Sequence, residues 1–231
     1  MCKYYYGYLH GFASGPNSFK GVHLKKFLKE RMDIPLYLFN LNVSEDDPYF
    51  LVSDAVSTLL RKDLEMREAT NDANFMWRCI GSSLGAYTAA RFAHLFPSRV
   101  DKLVLLSPAF NLVETWTNDS DDSVLRSWKE TGYRQFVGPK SEPFSVPFEF
   151  VEDLQQHPPF FPVSCEGTII HGLEDRVIPP SNAQVFVERY APHWKLRFVE
   201  DDHALTKQQT LRIIEEEVVA CFGGMEGSNK L

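Results

Sequence analysis

One short turn constrains this chain more than any other feature: Gly81-Ser82-Ser83-Leu84-Gly85. An apolar run, Phe75-Met76-Trp77 then Cys79-Ile80, leads into it, and a helix-forming run from Ala86 to Phe96 follows. The turn reads G-x-S-x-G, with Ser83 as the serine. A strand that bends sharply into a helix strains the backbone at the serine, so the residues two before and two after must lack bulk. Gly81 and Gly85 meet that need for Ser83 and not for Ser82. Such a turn lifts Ser83 Oγ above a sheet edge, at a helix N-terminus whose positive end favours a developing anion. Alone the pattern is weak: at about 7% usage of Gly and similar usage of Ser, roughly one chain of this length in ten carries it by accident. Its context gives it weight.

That context is an alternation of short apolar runs with helical ones. The spacing predicts strands over 4–9, 34–41, 75–80, 101–106, 167–170 and 195–199. It predicts helices after a cap at Asn17 or Ser18, over 50–66 and 86–96, and over 181–190 and 205–222. Six strands alternating with helices imply an α/β fold, a doubly wound, mainly parallel six-stranded sheet covered on both faces. Functional loops then gather outside the carboxyl ends of the strands. Residues 111–160 break the rhythm. A polar acidic turn over 118–122 precedes a stretch rich in Phe, Trp and Pro, with a helix expected near 123–131, short extended pieces, and a helix near 148–156. The segment is too long for a simple connection and reads as a small cap insertion. The chain is thus expected to be one domain, 1–222, with a flexible tail over 223–231.

Composition narrows the partners. The 231 residues carry 24 Lys and Arg against 31 Asp and Glu, a formal charge of −7. With no basic cluster, nucleic acid and anionic membranes are poor partners. No apolar run approaches the roughly 20 residues that span a bilayer, and no signal-peptide pattern opens the chain. Cys2, Cys79, Cys165 and Cys221 are scattered, without CxxC or zinc-ligand spacing. Reduced thiols, a cytoplasmic location and no metal are the expectation.

A serine hydroxyl is a poor nucleophile without a base. His203 follows the last expected strand. Asp175 follows the one before, within Gly172-x-x-Asp175-x-x-Ile178-Pro179. An aspartate there can accept the imidazole Nδ1–H and stabilise the imidazolium. Plainer readings stand beside these. Glu174 adjoins Asp175, and Asp201 and Asp202 are solvated loop residues or tune the histidine. His10 and His171 hold loops by hydrogen bonds, and His157 packs or contacts a substrate.

The order Ser83, Asp175, His203 is that of α/β-hydrolases. The chain resembles that family over nearly its whole length, starting at the family's third strand without its two leading antiparallel strands. Tyr8-Leu9-His10-Gly11-Phe12-Ala13-Ser14-Gly15-Pro16-Asn17-Ser18 and the turn at Ser83 resemble the small bacterial YqiA-type esterases. Ala86 departs from the second glycine of many relatives, and the 111–160 segment is longer than in the smallest members. The resemblance implies an oxyanion hole from the backbone amides of Phe12 and Leu84. Phe136, Phe144, Phe148, Phe160 and Phe161 pack the insertion onto the body, wall an apolar acyl pocket, or do both at once. The implied activity is hydrolysis of carboxylic esters or thioesters of small to medium apolar acyl groups through an acyl-enzyme. The partner is then a small-molecule acyl ester or thioester, with no metal or organic cofactor. The same machinery serves peptidases and acyltransferases, and a scaffold that only binds is the remaining alternative.

Overall fold

The computed structural model describes residues 3–44, 46–118, 123–138 and 141–223. Cys2, most of the acidic turn, and all of the expected tail except Gly223 lie outside the described residues. The elements run β1 (Tyr4–Leu9), α1 (Phe19–Met32), β2 (Leu36–Leu38), α2 (Val52–Thr70), β3 (Met76–Ser82), α3 (Leu84–Leu95) and β4 (Val100–Leu106). Then come α4 (Leu112–Asn118), α5 (Ser123–Thr131), β5 (Tyr133–Val137), β6 (Pro143–Pro147) and α6 (Glu149–Gln155). The chain continues with β7 (Glu166–Gly172), α7 (Pro180–Tyr190), β8 (Lys195–Val199) and α8 (Gln208–Phe222).

Six strands form one parallel sheet in the order β2-β1-β3-β4-β7-β8. Winding reverses between β1 and β3, so a crevice opens where the loops after those two strands part. Strands covered on both faces read as near-continuous apolar runs, and Val104-Leu105-Leu106 is one. Alternate side chains go to opposite layers. Cys79, Leu103, Leu105 and Ile169 pack with Leu59, Phe92 and Phe186 of α2, α3 and α7. Tyr8, Ile80, Val104 and Ile170 pack with Leu24 and Leu28 of α1 and with Ile214 and Val218 of α8.

Two elements differ from expectation. The strand expected over 34–41 contracts to Leu36–Leu38, because the Leu41 amide donates to His10 Nε2 (3.1 Å) instead of to a neighbouring strand. Helix α4 was not foreseen. In the segment between β4 and β7, β5 and β6 pair as an antiparallel hairpin, with Phe136 opposite Phe144. Its rings satisfy one another: Trp128 and Phe150, both buried, stack at 6.3 Å, and the Trp128 indole N–H donates to Val146 O (2.9 Å).

That segment also caps the body. Helix α2 begins after Leu51, which has no side-chain acceptor to offer its free amides. The carboxylate of Asp153 in α6 supplies one, taking the Val52 amide at 2.6 Å and the Ser53 amide at 3.4 Å. Burial works to raise this carboxyl, but hydrogen bonds from His157, Ser53 and the two amides hold it below its ordinary value. A carboxyl lowered by folding stabilises above its unfolded pKa and loses that contribution as pH falls through the folded one. Asp153→Ala should therefore cost about 1–2 kcal/mol at pH 7, read as a lower urea midpoint. The gap between variant and wild type should narrow below about pH 4.

Candidate active site

Ser83 sits between β3 and α3 with φ 53° and ψ −118°. Its amide donates to Leu106 O (2.9 Å), and its carbonyl accepts the amides of Ala86 (3.0 Å), Tyr87 (3.1 Å) and Ala109 (3.1 Å). The flanking glycines are sterically required. A Cβ on Gly81 would lie 2.5 Å from Ala86 Cα and 2.7 Å from Gly85 O, and one on Gly85 would overlap the carbonyls of Leu9 and His10. The side chain of Ala86 is tolerated and wholly buried.

The structure brings the three far-separated residues together. His203 Nε2 lies 2.8 Å from Ser83 Oγ, and His203 Nδ1 lies 2.7 Å from Asp175 Oδ2. Their loops follow β8 and β7 and are stitched by backbone bonds from Leu173 to Val199 (2.8 Å) and from Glu174 to Asp201 (3.0 Å). With a carboxylate at Nδ1, that nitrogen carries the proton, and Nε2 accepts from the serine hydroxyl. Glu174 instead points outward and pairs with Lys207 (3.5 Å).

Asp175 is saturated with donors. Oδ1 accepts the amides of Val177 and Ile178, both at 2.9 Å, and Oδ2 faces His203 and also His171 Nε2 (3.0 Å). Burial would raise this carboxyl. The bonds from His171 and His203, the charge of His203 and the Ile178 amide outweigh it and hold the group far below the ordinary range. His171 Nε2 is also 3.0 Å from Ile178 O, so both its neighbours are acceptors and it is the protonated nitrogen. Sequence reasoning treated His171 only as a loop support. Its spacing of four residues from Asp175 across Gly172 was the available signal.

Other residues hold the loops. Asp201 is buried and not solvated as one reading had it: Oδ1 accepts the Asp202 amide (2.8 Å) and Oδ2 the Lys207 amide (3.0 Å), fastening both ends of the His203 loop. Lys20 of α1 donates to Ala204 O in the same loop. Burial pushes the Lys20 ammonium down to about 8, opposed by Asp201 and Asp202. On the β1 side, His10 is fully buried. Its Nδ1 donates to Gly11 O (2.9 Å), and burial keeps the ring neutral. This loop passes close over the serine, since a Cβ on Gly11 would lie 3.1 Å from Ser83 Cβ. Neither the Phe12 nor the Leu84 amide donates to an acceptor among the described residues.

A cavity of about 230 Å³ lies over Ser83 and His203, bounded also by Gly11, Phe12, Phe19 and Lys20. None of the five phenylalanines expected to wall an acyl pocket borders it. Phe136 and Phe144 pack on Phe12 (5.0 and 5.8 Å) and Phe148 on Trp128 (6.3 Å), while Phe160 stacks on Tyr190 (5.6 Å) and Phe161 meets Tyr87 (5.5 Å). Ring-to-ring burial has used the apolar surface that a pocket would have needed. His157 likewise lies elsewhere, against Ser53 Oγ (3.0 Å). Among the described residues no group of three or more His, Cys, Asp or Glu is placed to hold a metal ion.

Comparison with solved structures finds the same architecture in the mouse alpha/beta hydrolase domain-containing protein 10 (18% identity, TM-score 0.73, covering 93% of this chain and 88% of that one). Est1E of Butyrivibrio proteoclasticus with bound ferulic acid is also similar (16%, 0.71, 96% and 90%). So is the monoacylglycerol lipase of Paleococcus ferrophilus (14%, 0.69, 94% and 94%). At such identities the likeness concerns the fold. No curated protein sequence matches the chain. A family model does, over residues 5–211. The chain therefore belongs to the uncharacterised protein family UPF0227, built on the α/β-hydrolase fold.

Proposed function

We propose that this protein is a serine hydrolase of carboxylic esters. The carrying observation is the continuous relay from Ser83 Oγ through His203 to Asp175, outside the carboxyl ends of β3, β7 and β8 of one sheet. Ser83 attacks the ester carbonyl while His203 Nε2 takes its proton. Asp175 holds the Nδ1–H and balances the imidazolium. The Phe12 and Leu84 amides receive the charge that grows on the carbonyl oxygen. The intermediate collapses, His203 returns the proton to the departing alcohol, and water repeats the cycle to release the acid. Thioesters fit the same steps. The monoacylglycerol lipase among the similar structures is by its name an ester hydrolase, which agrees with this reading.

The buried, donor-saturated Asp175 remains ionised far into acid, so it orients His203 at every working pH. Asp175→Asn should lower kcat by three to four orders of magnitude, on the order of 10³–10⁴. Because the folded pKa of Asp175 is lowered, its contribution to stability is full above about pH 4 and lost in stronger acid. Acid unfolding should thus be shallower in the variant. A fluorophosphonate should label Ser83 in the folded protein, and Ser83→Ala should lose both the label and, on the order of 10⁴-fold or more, the hydrolysis. Labelling at another residue, or an active Ser83→Ala protein, would overturn the assignment. A peptidase is separated by assaying p-nitrophenyl acyl esters beside aminoacyl arylamides. Turnover of the esters alone is expected.

A further inference from the structure

The loops after β1 and β2 enclose a second cavity, of about 600 Å³, which shares Ser14, Ser18 and Phe19 with the one over Ser83. The two adjoin across these residues, and a groove running through both ends at the serine. Its outer part is lined by Asn40, Asn42 and Ser44, together with the carboxylates Asp46 and Glu142, and among the described residues by no Lys or Arg. Asn42 donates from Nδ2 to Ser14 O (2.8 Å), whereas its Oδ1 is buried and has no partner among the described residues. A buried acceptor without a donor is costly, and a ligand hydroxyl would satisfy it. Phe19, an aromatic ring 59% exposed to solvent, borders both cavities.

We propose that this groove takes a neutral polyhydroxylated group, a sugar or glycerol unit, as the alcohol portion of the ester cleaved at Ser83. The proposal rests on the serine-hydrolase reading. Hydroxyl groups both donate and accept, which suits a lining of amides, serines and carboxylates. The C–H face of such a unit can lie on Phe19. A hydrocarbon chain would strip water from Asn40, Asn42 and Ser44 without replacing its hydrogen bonds. A polyanionic leaving group such as coenzyme A would face Asp46 and Glu142, and among the described residues the one Lys or Arg bordering either cavity, Lys20, lies at the serine end.

Two substitutions probe the groove. Asn42→Leu removes the orphan acceptor. Gly15→Trp fills the space: a Cβ there meets only Asn42 Nδ2, at an ordinary 3.6 Å. Wild type and both variants are assayed on p-nitrophenyl butyrate, glycerol 1-butyrate, 6-O-butyryl glucose and butyryl-coenzyme A. In each variant kcat/KM on at least one polyol ester should fall about tenfold more than on p-nitrophenyl butyrate, through KM. The polyol ester more affected identifies glycerol or sugar as the occupant. Calorimetric titration of Ser83→Ala with that ester should show binding, which the added Gly15→Trp substitution removes. Equal effects of Gly15→Trp on all esters, no effect on either polyol ester, or the greatest loss on the coenzyme A thioester would each overturn the proposal. A wild-type protein inert toward p-nitrophenyl butyrate would count against the hydrolase reading instead, and titration of that protein with the polyol esters would still decide the groove.

Discussion

Everything at the site depends on one residue held where an L side chain seldom goes. The Ser83 backbone, at φ 53° and ψ −118°, lies outside the broad allowed basins and costs on the order of 1–3 kcal/mol. It persists because its amide and carbonyl are committed to four partners, and because Gly81 and Gly85 let β1, β3 and α3 close around it. The strain has company. Ala13, Ser107, Asn111 and Leu205 also have positive φ, and they follow β1, β4, β4 and β8. Asp33 and Asn71, by contrast, merely end helices in the left-handed conformation. Strain thus gathers at the carboxyl ends of the strands, where the hydroxyl of Ser83 and the imidazole of His203 meet.

The charges there are few and fully answered. Asp175 brings one negative charge and four donors surround it. The two buried imidazoles beside the relay, His10 and His171, do mechanical work. One ties the Phe12 loop to the Leu41 amide, and the other ties the Asp175 loop back to Ile178. Burial holds His10 neutral. In the proposed mechanism a further cation there would oppose the positive charge on His203 as it takes the serine proton, and a neutral ring positions its loop without that penalty.

The sheet was legible because its inner strands are buried on both faces and announce themselves as apolar runs, while the half-exposed edge strands β2 and β8 keep their place in the alternation of strand and helix. β8 (Lys195–Val199) and α5 (Ser123–Thr131) were read to the residue. The serine turn was legible for a steric reason, since only glycine fits beside it. What escaped was whatever depends on contacts distant in sequence. The aromatic density of 111–160 suggested a pocket wall, yet those rings pair with one another and with Phe12, Tyr87 and Tyr190, a choice made in three dimensions. The Asp153 cap of α2 spans 101 residues and leaves no local sign. The polar groove is built from Ser14, Ser18, Asn40 and Asn42, each of which reads as ordinary turn chemistry. Only the sheet order, which sets the loops after β1 and β2 side by side, gives them a common purpose.

The relay also bridges the two sides of the sheet. Ser83 rides on α3 in one layer, while His203 leads into α8 in the other. Their alignment therefore needs α8 to be fixed, and it is fixed along its length. Glu217 binds Lys195 and Arg197 of β8 at 2.7 and 2.9 Å. At the helix end, Arg78 of β3 donates to Phe222 O (2.7 Å) while paired with Asp101 (2.7 Å). Near the histidine, Asp201 and Lys20 complete the anchorage. The reacting groups are thus pinned by bonds that run through the sheet, whereas the groove is bordered by surface loops whose side chains can change without disturbing those bonds. A fold so divided can keep its chemistry constant while substrate preference drifts in the loops after β1 and β2.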